Sequence, residues 1–124
     1  MEDKLIEILS QFEVPVYRQG SMSDDDKYPE TFFTFWNNES LAHSYYDDDD
    51  YGIEWNFDVN IYSSNPTTAY SMLLNARRAL KQNGWTIGSY GYDVASDEAT
   101  HIGRGFNALF LQILTQEEQS NENS

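Results

Sequence analysis

The stretch Ile53-Glu54-Trp55-Asn56-Phe57-Asp58-Val59-Asn60-Ile61-Tyr62 sets the architecture. Apolar Ile53, Trp55, Phe57, Val59 and Ile61 alternate with Glu54, Asn56, Asp58, Asn60 and Tyr62. Side chains of a strand point to opposite faces at a period of two, so this is a long half-buried strand. Just downstream, Asn65-Pro66 marks a helix start, asparagine capping free amides and proline suiting the first helical position. Ala69, Met72, Leu73, Ala76 and Leu80 form a helical stripe. Arg77, Arg78 and Lys81 sit toward the carboxyl end of the dipole, and Gly84 closes a helix over about 66–83.

Upstream, aromatic-rich Thr31-Phe32-Phe33-Thr34-Phe35-Trp36 reads as a strand covered on both faces. The polar segment 37–50 between the two strands ends in Asp47-Asp48-Asp49-Asp50, whose mutual repulsion predicts an exposed, extended connection. Leu5, Ile8, Leu9 and Phe12 make one helical stripe, giving a first helix at about 2–12 stopped by Val14-Pro15. Val16–Gln19 is a short extended run, and 20–27 is a polar loop. Beyond the second helix, Trp85-Thr86-Ile87 is extended and 93–105 reads as a connection with at most a short strand. Phe106–Leu114 is apolar on both alternating sets, as in a well-covered strand. Residues 115–124 carry no apolar side chain and are expected to be a disordered tail.

The predicted order is α-β-β-β-α-β-β. It gives an α+β fold in which two helices flank a mostly antiparallel sheet of about four to five strands, with residues 1–114 forming one domain. The 124-residue length suits a single core and excludes a multidomain enzyme.

Seven Lys and Arg stand against 21 Asp and Glu, a formal net charge of −14. Such a balance argues against gripping a phosphate backbone or an anionic membrane. The absence of cysteine removes disulfides, thiolate metal sites and a cysteine nucleophile. No apolar run is long enough for a spanning helix and no leader-like segment opens the chain, so a soluble cytoplasmic protein is expected.

Motifs for chemistry are sparse. No serine sits in a Gly-x-Ser-x-Gly elbow, and His43 and His101 lie in polar stretches that read as solvated loops. Asp47, Asp49, Gly52 and Asp58 match some offsets of a calcium loop, but Tyr51 and an aspartate in place of the bidentate glutamate spoil it. Glu54 and Asp58 share a strand face about 13 Å apart, wider than the roughly 5 to 9.5 Å of glycosidase carboxyl pairs. Gly103-Arg104-Gly105 is either an anion-presenting loop or, more simply, a tight turn whose arginine meets a carboxylate. The aromatic residues sit beside acids and amides, not lysines and arginines, so no stacking platform for nucleic acid is present. Trp36, Trp55 and Trp85 read as core or interface residues. No cofactor or metal is expected.

The strings Pro15-Val16-Tyr17-Arg18-Gln19-Gly20, Tyr28–Asn38, Tyr51–Ser63 and Gly91–Glu98 together resemble a small family of long-tailed bacteriophages and prophages of Gram-positive bacteria. The resemblance covers about residues 5–114 and is to tail terminator, tail-completion or head-tail joining proteins. It implies a non-enzymatic structural protein. Such a subunit has a small α/β fold and forms a ring, commonly hexameric, that caps the tail tube and docks to the head connector.

The implied partners are further copies of the chain, the tail tube protein and the head connector or head-completion protein. DNA passes through the ring without specific binding, and no membrane is involved. The implied location is the head-tail interface of the virion, assembled in the host cytoplasm. In that setting the acidic runs 24–26 and 47–50 are candidate docking loops, and the 53–62 strand is a candidate inner or interface strand. An electronegative wall would let a duplex slide past. Candidate assembly contacts are Asp47, Asp48, Asp49, Asp50, Arg77, Arg78 and Arg104. A reading of another class is a small acidic inhibitor that mimics DNA phosphates to occupy a DNA-binding enzyme.

Overall fold

The computed structural model describes residues 1–19, 29–46, 49–96 and 98–113. Its elements are α1 (Glu2–Ser10), β1 (Val16–Arg18), β2 (Thr31–Tyr46), β3 (Asp49–Ser63), α2 (Pro66–Gln82), β4 (Tyr92–Val94) and β5 (Ile102–Ile113). One five-stranded sheet has the order β1-β2-β3-β5-β4. β1 runs parallel to β2 and every other neighbour is antiparallel. The α+β class and the single small domain are as the alternation and helical stripes predict, but Trp85–Ile87 supplies only the isolated Thr86↔Leu109 bridge, the fourth strand is Tyr92–Val94, and β5 begins at Ile102, inside the expected 93–105 connection.

The core lies between one sheet face and the two helices. Phe33, Phe35, Phe57, Val59, Ile61, Phe106 and Ala108 point inward and are buried. They meet Leu5 and Leu9 of α1 and Leu73, Ala76 and Leu80 of α2. Burying each large apolar side chain contributes about 1.5–3 kcal/mol, so this layer dominates stability. Trp85 and Ile87 close one end, with the Trp85 ring 5.9 Å from Phe57 and 5.1 Å from Phe110.

α2 begins where Asn65 accepts the Thr67 and Thr68 amides at 3.0 and 3.3 Å, with Pro66 in the first turn. It ends at Gly84, whose φ of +90° is left-handed. There the Gly84 amide donates to Lys81 O and the Trp85 amide to Leu80 O, a Schellman closure. α1 stops two residues before the predicted end. Gln11 folds its amide back on Ile8 O, and Glu13 turns the chain with a φ of +61°.

Two further expectations change. Residues 37–46 and 49–50 are paired strand in place of an exposed, extended connection: β2 continues through Tyr46 and pairs with β3 down to Tyr46↔Asp49, with register shifts after Asn37, His43 and Ser44. Backbone pairing extends this hairpin where side chains give no apolar pattern. Likewise β2 is not covered on both faces along its whole length, since Phe32, Phe33 and Phe35 are buried but Trp36 is 45% exposed. The acidic run 24–26, the loop 20–27 and the expected tail 115–124 lie outside the described residues. Among the described residues no helix is long and apolar enough to cross a membrane.

Candidate functional site

The predicted contact residues fall in three separate places. Arg77 and Arg78 lie on α2, where they join Leu74, Lys81, Gln82 and Tyr90 around an open groove of about 520 Å³. Arg77 is a fixture of this groove: its Nε donates to Ser89 O at 2.7 Å and its guanidinium lies 4.2 Å over the Tyr90 ring. It thereby pins the turn after Ile87 to the helix. Arg78 and Lys81 are exposed. None of the three makes an ion pair among the described residues. In a chain of net charge −14 this is a local cationic strip, suited to a carboxylate-bearing surface.

Arg104 belongs to another neighbourhood. Gly103-Arg104-Gly105 is no turn or anion loop, because all three residues are inside β5, paired with Tyr62, Ile61 and Asn60 of β3. The glycines permit close approach. A Cβ on Gly103 would lie 2.6 Å from Val94 Cγ2, and one on Gly105 would collide with Asn60 Oδ1. Arg104 reaches Asp93 Oδ1 at 2.6 Å and lies 5.7 Å from the Tyr70 ring centre. Its buried Nε has no partner among the described residues. Arg104 is therefore committed inside the subunit, tying β4 and α2 to β5.

Of the four aspartates, Asp49 and Asp50 open β3 and pair with Tyr46 and Ser44, while Asp47 and Asp48 lie outside the described residues. Asp49 and Asp50 thus stand at the far end of the β2–β3 hairpin. Among the described side chains Trp55 is the outermost of β3 packed on the core, and backbone pairing continues through Ala42↔Ile53 to Tyr46↔Asp49. The hairpin extends about 13 Å past Ile53 at ordinary strand rise. The extended backbone from Asp49 to Asp58 also excludes the calcium-loop geometry that the spacing faintly suggests.

The face of the sheet away from the helices went unread in the sequence. Strand pairing stacks Trp36, Asp58 and Asn107 in one row and Thr34, Asn60, Gly105 and Tyr92 in the next. Asn107 Nδ2 donates to Asn56 Oδ1 at 2.6 Å and to Asp58 Oδ1 at 3.1 Å, and Asn38 Nδ2 donates to Asn56 Oδ1 at 3.2 Å. Burial, then the nearby Asp58 charge, raises the Tyr92 phenol above 10.0. At one end Phe32 stacks on Tyr62 with centroids 5.2 Å apart.

His101 is not a solvated loop residue. Its Nε2 lies 2.8 Å from Pro29 O and, with that nitrogen donating, its Nδ1 accepts the Thr100 hydroxyl at 2.9 Å. His43 lies on β2, not in a loop. Trp85 is core, Trp55 is partly buried and donates from Nε1 to Gln112 Oε1, and Trp36 faces solvent.

The 53–62 strand, expected to meet a neighbour, is central. From Gly52 to Ser63, β3 has β2 on one side and β5 on the other, so neither edge of this stretch can accept another chain. Any sheet-mediated contact must use other edges. Compared with models of protein families and with curated proteins, the sequence matches none of them.

Proposed function

We propose that this chain is a non-enzymatic structural subunit of a long-tailed bacteriophage, a tail terminator or head-tail joining protein. In this reading it assembles as a ring, hexameric by family resemblance, that caps the tail tube and docks to the head connector at the head-tail interface. The observation that carries the reading is the length of the β2–β3 hairpin, whose backbone pairing runs on to Tyr46↔Asp49, with Asp49 and Asp50 at its end. A long paired arm of this kind is suited to reaching another chain. The cationic strip of Arg77, Arg78 and Lys81 supplies the opposite charge on a different surface, which favours oriented contacts between acidic neighbours.

Light scattering of the purified chain, alone and with polymerised tail tube, tests the proposal. The expected result is a ring, free or captured on tube ends, with tube length then fixed. A monomer that ignores tubes but displaces duplex DNA from a DNA-binding enzyme would replace this reading with the phosphate-mimic inhibitor.

A further inference from the structure

We propose that copies of this chain join edge to edge. Leu111–Ile113 of one copy adds as a parallel strand to the edge of β2, within 37–46, that no described strand covers in the next. The inference rests on the ring reading above and names the surfaces that would build it.

Both surfaces are visible in the pairing. β1 covers β2 only at Phe33–Phe35, with the Gln19 amide adding one bond to Phe35 O. Beyond Phe35 the outer edge of β2 has no strand beside it among the described residues. On the opposite side, β4 covers β5 at Gly103–Gly105, and Thr86 exchanges both backbone bonds with Leu109 at 2.7 and 2.9 Å. Because Leu109 turns its N–H and C=O away from β3, strand alternation turns those of Leu111 and Ile113 the same way. No described residue pairs with them. Their side chains are 41% and 54% exposed, so this edge is also apolar.

Natural sheets guard free edges with lysine, proline or other charges. Residues 36–46 read Trp-Asn-Asn-Glu-Ser-Leu-Ala-His-Ser-Tyr-Tyr and residues 107–113 read Asn-Ala-Leu-Phe-Leu-Gln-Ile, with Glu39 the single charged side chain and no proline. In a chain with 23% charged residues these two edges are short of charge, and although the register shifts of β2 after Asn37, His43 and Ser44 bend its edge, they are the edges a partner strand would meet. β2 and β5 are each antiparallel to β3 and so parallel to each other. A rotation that carries one copy to the next brings β5 beside the following β2 in parallel and consumes one edge of each kind per copy. Repeated, that head-to-tail operation closes a ring. A two-fold pairing of β5 with β5 would be antiparallel and would leave every β2 edge open.

The natural chain has no cysteine, so single-cysteine variants report the contact directly. Ile113→Cys mixed in turn with Glu39→Cys, Leu41→Cys and His43→Cys is expected to form an intermolecular disulfide in at least one mixture. Ile113→Cys alone is expected to form none. Leu111→Pro removes an outward N–H that no described residue accepts, and edge strands tolerate such a proline. Sedimentation should show its association midpoint raised at least about tenfold, with its melting temperature near that of the natural chain. If Leu111→Pro fails to fold, the Leu111→Lys/Ile113→Lys pair serves the same purpose.

Rings that persist in these variants, or a dimer cross-linked through Ile113→Cys alone, would overturn the edge contact and leave the ring reading standing. A natural chain that stays monomeric to about 1 mM, alone and beside tail tubes, would overturn both.

Discussion

Two glycine-to-alanine substitutions should move stability in opposite directions. At Gly103 a new Cβ would lie 2.6 Å from Val94 Cγ2, 2.7 Å from Tyr62 Cε1 and 2.8 Å from Val94 O. Carbon atoms rest about 3.5–4.0 Å apart, so the methyl needs roughly 1 Å of clearance on two sides. The Tyr62 ring stacks on Phe32, and the Val94 oxygen belongs to the backbone of β4, so neither side yields freely. Overpacking of this order costs about 1–3 kcal/mol. With an unfolding entropy of roughly 0.26 kcal/mol/K for a chain of this length, the melting temperature should fall by about 4–12 °C.

At Gly88 nothing lies within 4 Å of the new methyl. Alanine there restricts the unfolded chain and should stabilise by about 0.4–1 kcal/mol, raising the midpoint by about 2–4 °C. Thermal denaturation followed by circular dichroism reads both. A Gly103→Ala midpoint within about 1 °C of the natural chain would show that β4 does not press on β5 as described.

Removing the α2 cap with Asn65→Ala should cost about 1 kcal/mol in urea titrations, since two amides lose their acceptor. Because the Tyr92 phenol titrates above its unfolded value of 10.0, its contribution is complete below about pH 10 and is lost as pH rises through the folded value. Tyr92→Phe should therefore flatten the alkaline limb of the stability profile, and phenolate absorbance should show one late-titrating tyrosine that moves earlier in Asp58→Asn. Arg77→Lys forfeits the Nε bond to Ser89 and much of the stacking on Tyr90, so limited proteolysis should cut the 88–91 turn faster. Subunits of net charge −14 repel one another and the proposed edge contact carries little charge, so a ring built through it should strengthen as salt rises past about 0.1 M, where the Debye length is about 10 Å, whereas a ring held by the Arg77, Arg78 and Lys81 strip on carboxylates should weaken; sedimentation across a salt series separates the two.

β3 and α2 were legible because each is written in two signals at once. β3 has a period-two face that matches a buried core, and α2 has an apolar stripe bracketed by Asn65-Pro66 and Gly84. The second half of β2 was not, since Asn37, Asn38, Glu39 and Ser40 have the composition of a loop. There the strand is held by its ladder to β3, and no apolar alternation records that. Gly103 and Gly105 misled in the other direction: glycine read as turn chemistry is here the space that Val94, Tyr62 and Asn60 occupy. Arg77 was expected to reach outward, but its spacing from Ser89 and Tyr90 exists only after the chain doubles back. The central position of β3 depends on β5 inserting after α2, which local patterning does not encode.

That insertion also shapes how the chain folds. The strand that completes the sheet beside β3 is the last described one, β5, so one side of β3 stays unsatisfied until residues 102–113 have been synthesised. β3 and β5 pair across long sequence separations, from Gly52↔Ile113 to Ser63↔Ile102, which makes the closing step slow relative to hairpin formation. During synthesis the growing chain presents the apolar residues of β3 without their cover, the interval in which such edges aggregate. Supply of competent subunits would then be governed by the rate at which the final strand docks, and a chain cut short before residue 113 would yield aggregate in place of a weaker subunit.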